Sequence, residues 1–110
     1  MSDAKVKDLE GYGAGAIATG TIYTNSTDVS KYREIIAMAD VDAVTTTLDI
    51  TMQVSTDDSF FVDHDAFTQL SGAGEVEKRF TNFSRYVRFK LAVVGGATLG
   101  TNGIVATAKT

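Results

Sequence analysis

The 110-residue sequence has no cysteine, no proline and no tryptophan, and it contains a single histidine. Without cysteine no disulfide can staple the fold and no thiolate can bind a metal. A lone histidine leaves few ways to build a zinc site, which needs three or four ligands. Without tryptophan the best stacking surface for a sugar ring is missing. No apolar run approaches the ~20 residues that span a bilayer, so no membrane partner is expected. The first fifteen residues, MSDAKVKDLEGYGAG, contain no apolar segment of the signal-peptide type. Synthesis in a cytoplasm without export is therefore the simple expectation. Prolines often guard the open edges of sheets. Their absence leaves charge, glycine or a partner to do so.

What is present is the composition of one globular domain. The hydrophobic fraction is 44%, enough to bury a core in a chain of this size. The net charge of −4 makes nucleic acid a poor default partner. The distribution of charge says more than the sum. Every charged residue from Glu34 to Glu77 is acidic, and Lys78, Arg79, Arg85, Arg88 and Lys90 follow within a short span. Solvated faces on neighbouring strands would explain this. The sharper reading is a pair of complementary patches that dock one copy onto another or onto a partner.

The apolar residues alternate. Leu48, Ile50, Met52 and Val54 are separated by Asp49, Thr51 and Gln53; Val87, Phe89, Leu91 and Val93 are separated by Arg88, Lys90 and Ala92. A period of two marks half-buried strands. EIIAMAD is expected as a third strand, since its neighbours read as strands, with Ile35, Ala37 and Ala39 on one face and Ile36 and Met38 on the other. It would then be covered on both sides or cross between environments, and a short helix is the alternative. Turn chemistry recurs at 25–28, 55–59, 71–74 and 95–96. Asn102-Gly103 signals a turn ahead of a last strand. No stretch carries a sustained helical period. The expected fold is all-β, a single antiparallel β-sandwich or jelly roll of about seven to eight strands over 14–110. Residues 1–13 are charged, then glycine-rich, and are expected to form an extended N-terminal arm, either loose or ordered against a neighbouring subunit.

Several stretches invite a chemical reading. GAGAIA, from Gly13 to Ala18, has the form of a dinucleotide fingerprint. That motif needs a helix N-terminus after it, and β-branched TGTIYTN follows instead. The glycines are better suited to a bend. Asn25-Ser26-Thr27 and Asn82-Phe83-Ser84 match the glycosylation pattern, which has no route to act without secretion. VSTDDSFFVDHDAF concentrates Asp57, Asp58, Asp63 and Asp65 around His64. These four aspartates are weak candidates for a cation site. A calcium loop of the helical-hand type would need a glycine at its sharp turn and an acid at its closing position. A Ser-His-Asp arrangement would need His64 between its partners. The aspartates beside it would point to the opposite face of a strand. The stretch reads better as a turn, STDD, followed by a short return strand whose Phe60, Phe61 and Phe67 fill the core or one end of the sandwich. No catalytic residue and no cofactor are expected.

The segment 49–96 runs DITMQVSTDDSFFVDHDAFTQLSGAGEVEKRFTNFSRYVRFKLAVVGG. It combines a strand ending in VSTDD, an aromatic return strand, a small glycine turn and a basic-aromatic segment leading into RYVRFKL. In this it resembles small β-sandwich accessory proteins of tailed bacteriophage virions. It is also similar to discoidin-like and carbohydrate-binding sandwiches, which usually carry a tryptophan where Phe60 or Phe61 stands. The first resemblance implies a capsid decoration or cement role, with the protein made in the host cytoplasm and carried in the virion. It implies the major capsid protein or other virion subunits as partners, and a homo-oligomer, with a trimer as one arrangement. The docking surface is then expected at Lys78, Arg79, Arg85, Arg88 and Lys90. The second resemblance implies a ligand-binding module with an exposed aromatic platform at Phe60, Tyr86 or Tyr23.

Overall fold

The structure, a computed structural model, describes residues 6–110. Ten strand segments follow one another: β1 (Val6–Tyr12), β2 (Gly15–Ile17), β3 (Gly20–Tyr23), β4 (Thr27–Asp28), β5 (Glu34–Val44), β6 (Thr47–Ser55), β7 (Val62–Ala66), β8 (Gly74–Thr81), β9 (Tyr86–Val94) and β10 (Ala97–Lys109). They form two antiparallel sheets. The first runs β1-β10-β5-β8, with β2 also paired to β10; the second runs β3-β9-β6-β7, with β4 also paired to β9.

The short segments are pieces of longer edge strands. β1 and β2 lie along successive stretches of β10, and β3 and β4 along successive stretches of β9. Counted as two broken strands they reduce the fold to eight. The pairing is then nested: first with eighth, second with seventh, third with sixth, fourth with fifth. A long hairpin rolled up on itself gives this order, and it is the jelly roll. The nesting brings Val6 opposite Lys109.

Alternation puts one face of each sheet into the shared core. Ile35, Ala37 and Ala39 of β5 are buried, while Met38 between them is 48% exposed. EIIAMAD is therefore a strand covered on one side only. Across the second sheet Ile50 lies opposite Leu91 and Met52 opposite Phe89, all buried. Phe67, Phe80 and Phe89 form an edge-to-face series with centroids 5.9 and 6.1 Å apart. Such contacts add to the free energy of burying the rings.

The breaks in the edge strands have identifiable causes. Between β3 and β4, the Thr24 hydroxyl accepts the Phe89 amide at 2.9 Å, and the Thr24 amide donates to the Phe89 carbonyl at 2.9 Å. A buried side chain thus replaces one rung of the ladder. Asn102-Gly103 does not close a hairpin. It sits inside β10, where residues 100–103 bulge out between Leu99, opposite Val41, and Ile104, opposite Ala39. Asp40 is the one β5 residue facing this loop, and its carboxylate accepts the Asn102 amide at 3.2 Å. Gly103 has φ +59, and a Cβ there would lie 2.0 Å from the Tyr12 carbonyl. The bulge therefore takes the chain past the break between β1 and β2, in GAGAIA. No helix follows that motif.

Of the segment 1–13, residues 1–5 lie outside the described residues, and 6–12 form β1 in the first sheet. Phe60 and Phe61 also differ from expectation. Phe67 is buried, but Phe60 is 76% exposed, because the STDD turn carries it past the end of β6 before β7 begins. The edges left without proline are short or charged. β7 carries Asp63 and Asp65, and β8 carries Glu75, Glu77, Lys78 and Arg79.

Candidate interaction face

The second sheet turns its outer face to solvent along β9 and β6. Because Val87, Phe89 and Leu91 point inward, Arg88 and Lys90 must point outward. Tyr23 lies opposite Lys90 in the neighbouring strand, diagonal to Arg88 and within reach of a long side chain. The Arg88 guanidinium carbon is 4.2 Å from the Tyr23 ring centroid and 4.1 Å from that of Phe61. The guanidinium carbon thus lies over two aromatic rings. Its Nε donates to Gln53 Oε1 at 2.8 Å, and Gln53 Nε2 donates to Asp63 Oδ1 at 2.9 Å. Lys90 Nζ completes the series with bonds of 3.0 and 3.1 Å to the Asp63 carboxylate. The bond from Gln53, then the one from Lys90, holds the Asp63 carboxyl below its usual range.

The other basic residues are placed differently. Arg85, just before β9, is paired with Asp28 at 3.1 Å. The Ser30 amide and hydroxyl, and then Arg85, lower the Asp28 carboxyl to about 2. Lys78 and Arg79 belong to β8, in the first sheet. Arg79 meets Glu34 at 3.0 Å, and Lys109 meets the same carboxylate at 3.1 Å. Lys78 reaches across the open edge of the sandwich to Asp65 at 3.4 Å. The five basic residues do not share one surface. Arg85, Arg88 and Lys90 go with the second sheet, and Lys78 and Arg79 with the first. Of the five, Arg88 has no carboxylate partner among the described ion pairs.

The aspartate-rich stretch separates as well. Ser55 and Asp57 build the turn: the Ser55 hydroxyl accepts the amides of Asp57 and Asp58, and Asp57 accepts those of Ser59 and Phe60. Those last two amides, Phe60 foremost, hold the Asp57 carboxyl low. Asp58 sits at φ 63 and is bonded by the Ser26 hydroxyl. A register shift in β7, where Gln53 lies opposite Asp63 and Met52 opposite Asp65, leaves His64 as the extra residue. The bulge sends Asp63 to the outer face and Asp65 to the sandwich edge, instead of leaving both on one side. His64 donates from Nε2 to the Thr81 carbonyl of β8 at 2.7 Å. His64 and Asp65 therefore link β7 to β8 across the edge. Among the described residues, no group of three or more His, Cys, Asp or Glu is placed to hold a metal.

A second exposed patch lies on the outer face of the first sheet. Met38 and Val105 are neighbours there. They adjoin a shallow depression of about 330 Å³ lined by Asp40, Glu75, Glu77 and Asn102 among others.

Sequence reasoning missed Gln53, Tyr23 and Phe61 as partners of Arg88. Tyr23 and Phe61 meet it only through the pairing of three strands, and no local pattern announces this. The polar alternation in TLDITMQVS did place Gln53 on the outer face.

No protein-family model matches the chain, and no curated protein matches its sequence. Solved structures with the same fold are found. The SPBc2 prophage-derived protein YomS has a TM-score of 0.65 and 13% identity, over 100% of this chain and 97% of that protein. The PBSX exported protein XepA has a TM-score of 0.64 and 15% identity, over 96% of this chain but 36% of its own. A CBM4 structure has a TM-score of 0.50 and 10% identity, covering 97% of this chain and 78% of that one. At these identities the likeness is one of fold: the chain has the two-sheet architecture found in proteins of prophage origin and in a CBM4 structure.

Proposed function

We propose that this chain is a structural protein of a tailed-phage particle, binding the capsid surface as a decoration or cement subunit. The observation that carries the reading is the end-to-end match of its fold to the prophage-derived YomS, with nearly all of both chains covered. The resemblance of 49–96 to phage accessory sandwiches points the same way. In such a protein the mechanism is adhesion. Many copies bury surface at capsid contacts, and occupancy stabilises the shell by mass action. The partners are the major capsid protein or other virion subunits, and self-association, a trimer included, fits that role. The docking surface is the second sheet's outer face, with Arg85, Arg88 and Lys90; Lys78 and Arg79 serve a separate contact.

The test is the mass of the purified protein alone and with tailed-phage capsids. Saturable co-sedimentation, lost on charge reversal of Arg85 and Arg88, is the expected result. A protein that stays in the supernatant with every capsid offered defeats the reading.

A second reading has one observation in its favour. Tyr23 and Phe60 are exposed on a sandwich whose fold is shared with a carbohydrate-binding module. On that reading the chain binds a glycan, and a glycan array with signal at specific sugars would favour it over the virion role.

A further inference from the structure

We infer that the Arg88 clamp is a docking site for a carboxylate side chain, Glu or Asp, of a partner protein. The inference rests on the adhesive role above and names the chemistry of its contact.

Three features of the geometry support it. The first is charge. Lys78, Arg79, Arg85 and Lys90 each have a carboxylate within the chain, whereas Arg88 has a neutral partner, Gln53. Among the described residues its positive charge has no carboxylate partner, which leaves it for an outside anion. The second is direction. The guanidinium carbon lies over two rings, at 4.2 and 4.1 Å, and Gln53 takes Nε. Among the described residues the terminal nitrogens have no hydrogen-bond partner, which leaves them for further bonds. A guanidinium edge presents two parallel N–H groups that match the two oxygens of a carboxylate. The third is order before binding. A free arginine loses rotamer entropy when it engages a ligand; one already held by two rings and an amide has less to lose. Arginine and tyrosine are also the residues that most often dominate protein contacts, and exposed Phe60 beside Phe61 offers an apolar neighbour.

The same geometry favours protein over sugar. Tyr23 and Phe61 each already cover the guanidinium with one ring face, so they are not a pair of free platforms for stacking a pyranose. Asp63, the nearest acid in the network, is neutralised by Lys90 and does not cancel the site.

The experiment follows the Arg88 Nε–Hε resonance of the intact chain during titration. The probes are a blocked Gly-Leu-Glu-Leu-Gly peptide, the same peptide with glutamine, glucuronate and inorganic phosphate. A saturable shift with the glutamate peptide, absent with the glutamine peptide, is expected. R88K keeps the charge but removes the fork, and is expected to lose the peptide-induced shifts in the Tyr23 and Phe61 ring protons while leaving backbone amides elsewhere in place. K109R, at an ion pair with Glu34 on the first sheet, is expected to behave as the unmodified protein. An Arg88 signal that does not respond to the glutamate peptide overturns the proposal. So does a response to glucuronate or phosphate at lower concentration than to the peptide, since the partner would then not be a protein carboxylate. Because no capsid is needed, failure here is separable from failure of the virion reading.

Discussion

Thr24 is a small residue with a large share of the second sheet's continuity. Its hydroxyl is the acceptor for the Phe89 amide where β3 gives way to β4, and both residues are buried. Thr24→Val keeps the shape and removes that acceptor. Leaving a buried amide unpaired costs about 1–3 kcal/mol, and a fall of that size in unfolding free energy is expected from urea denaturation. Asp28 makes a pH-dependent contribution. Its carboxyl is lowered from 3.8 to about 2 by the Ser30 and Arg85 bonds. A carboxylate favoured in the folded state stabilises fully above the unfolded value and loses that effect as pH falls toward the folded one. Asp57, Asp63 and Asp65 are shifted in the same direction. The urea midpoint is therefore expected to drop as pH falls from 3.8 toward 2. Asp28→Asn should lower the midpoint at neutral pH and give a shallower drop. Equal slopes for the two proteins would contradict this.

At the scale of strands, burial separates aromatic residues that look alike in sequence. Phe80 is 1% exposed and touches both Phe67 and Phe89 through edge-to-face contacts, while Phe60 is 76% exposed. Phe80→Ala is expected to destabilise by about 3–5 kcal/mol, and Phe60→Ser by about 0.5 kcal/mol or less, as measured by chemical unfolding. β6 and β9 were legible in the sequence because one face is uniformly apolar and the period is strict. β5 was read as a strand because its neighbours are, and with apolar residues on both faces the sequence did not show that Met38 would lie open. Three features were hidden. The β10 bulge uses the dipeptide of a hairpin turn, and only the Asp40 contact and the Tyr12 carbonyl explain why the strand continues past it. The β7 bulge separates Asp63 from Asp65, which alternation alone would keep together. The segment before Gly13 looks like an arm because it is polar, yet its residues 6–12 pair with β10 as an edge strand and bury Leu9 in the core. The candidate site was half legible. Arg88 and Lys90 stand in a patent alternation, but the rings that grip Arg88 come from a neighbouring strand, β3, and from the loop before β7.

For the molecule as a whole, the nested pairing requires contacts between distant parts of the chain. The first strand meets the last, and the second meets the one before it. Turn spacing and strand length suggested a sandwich or jelly roll. The choice between them lies in this nesting, which is a property of pairing partners and leaves no local trace. Loop closure must precede the reward of such contacts, so sandwiches fold slowly for their size. Refolding from urea is expected on the order of milliseconds to seconds; a microsecond phase accounting for the full signal change would be inconsistent with it. The same nesting sets Val6 across from Lys109 on neighbouring strands. Entry to and exit from the described domain thus share one corner, as with a socketed module. A domain of this kind can be spliced into a surface loop of a longer polypeptide without prising either sheet apart.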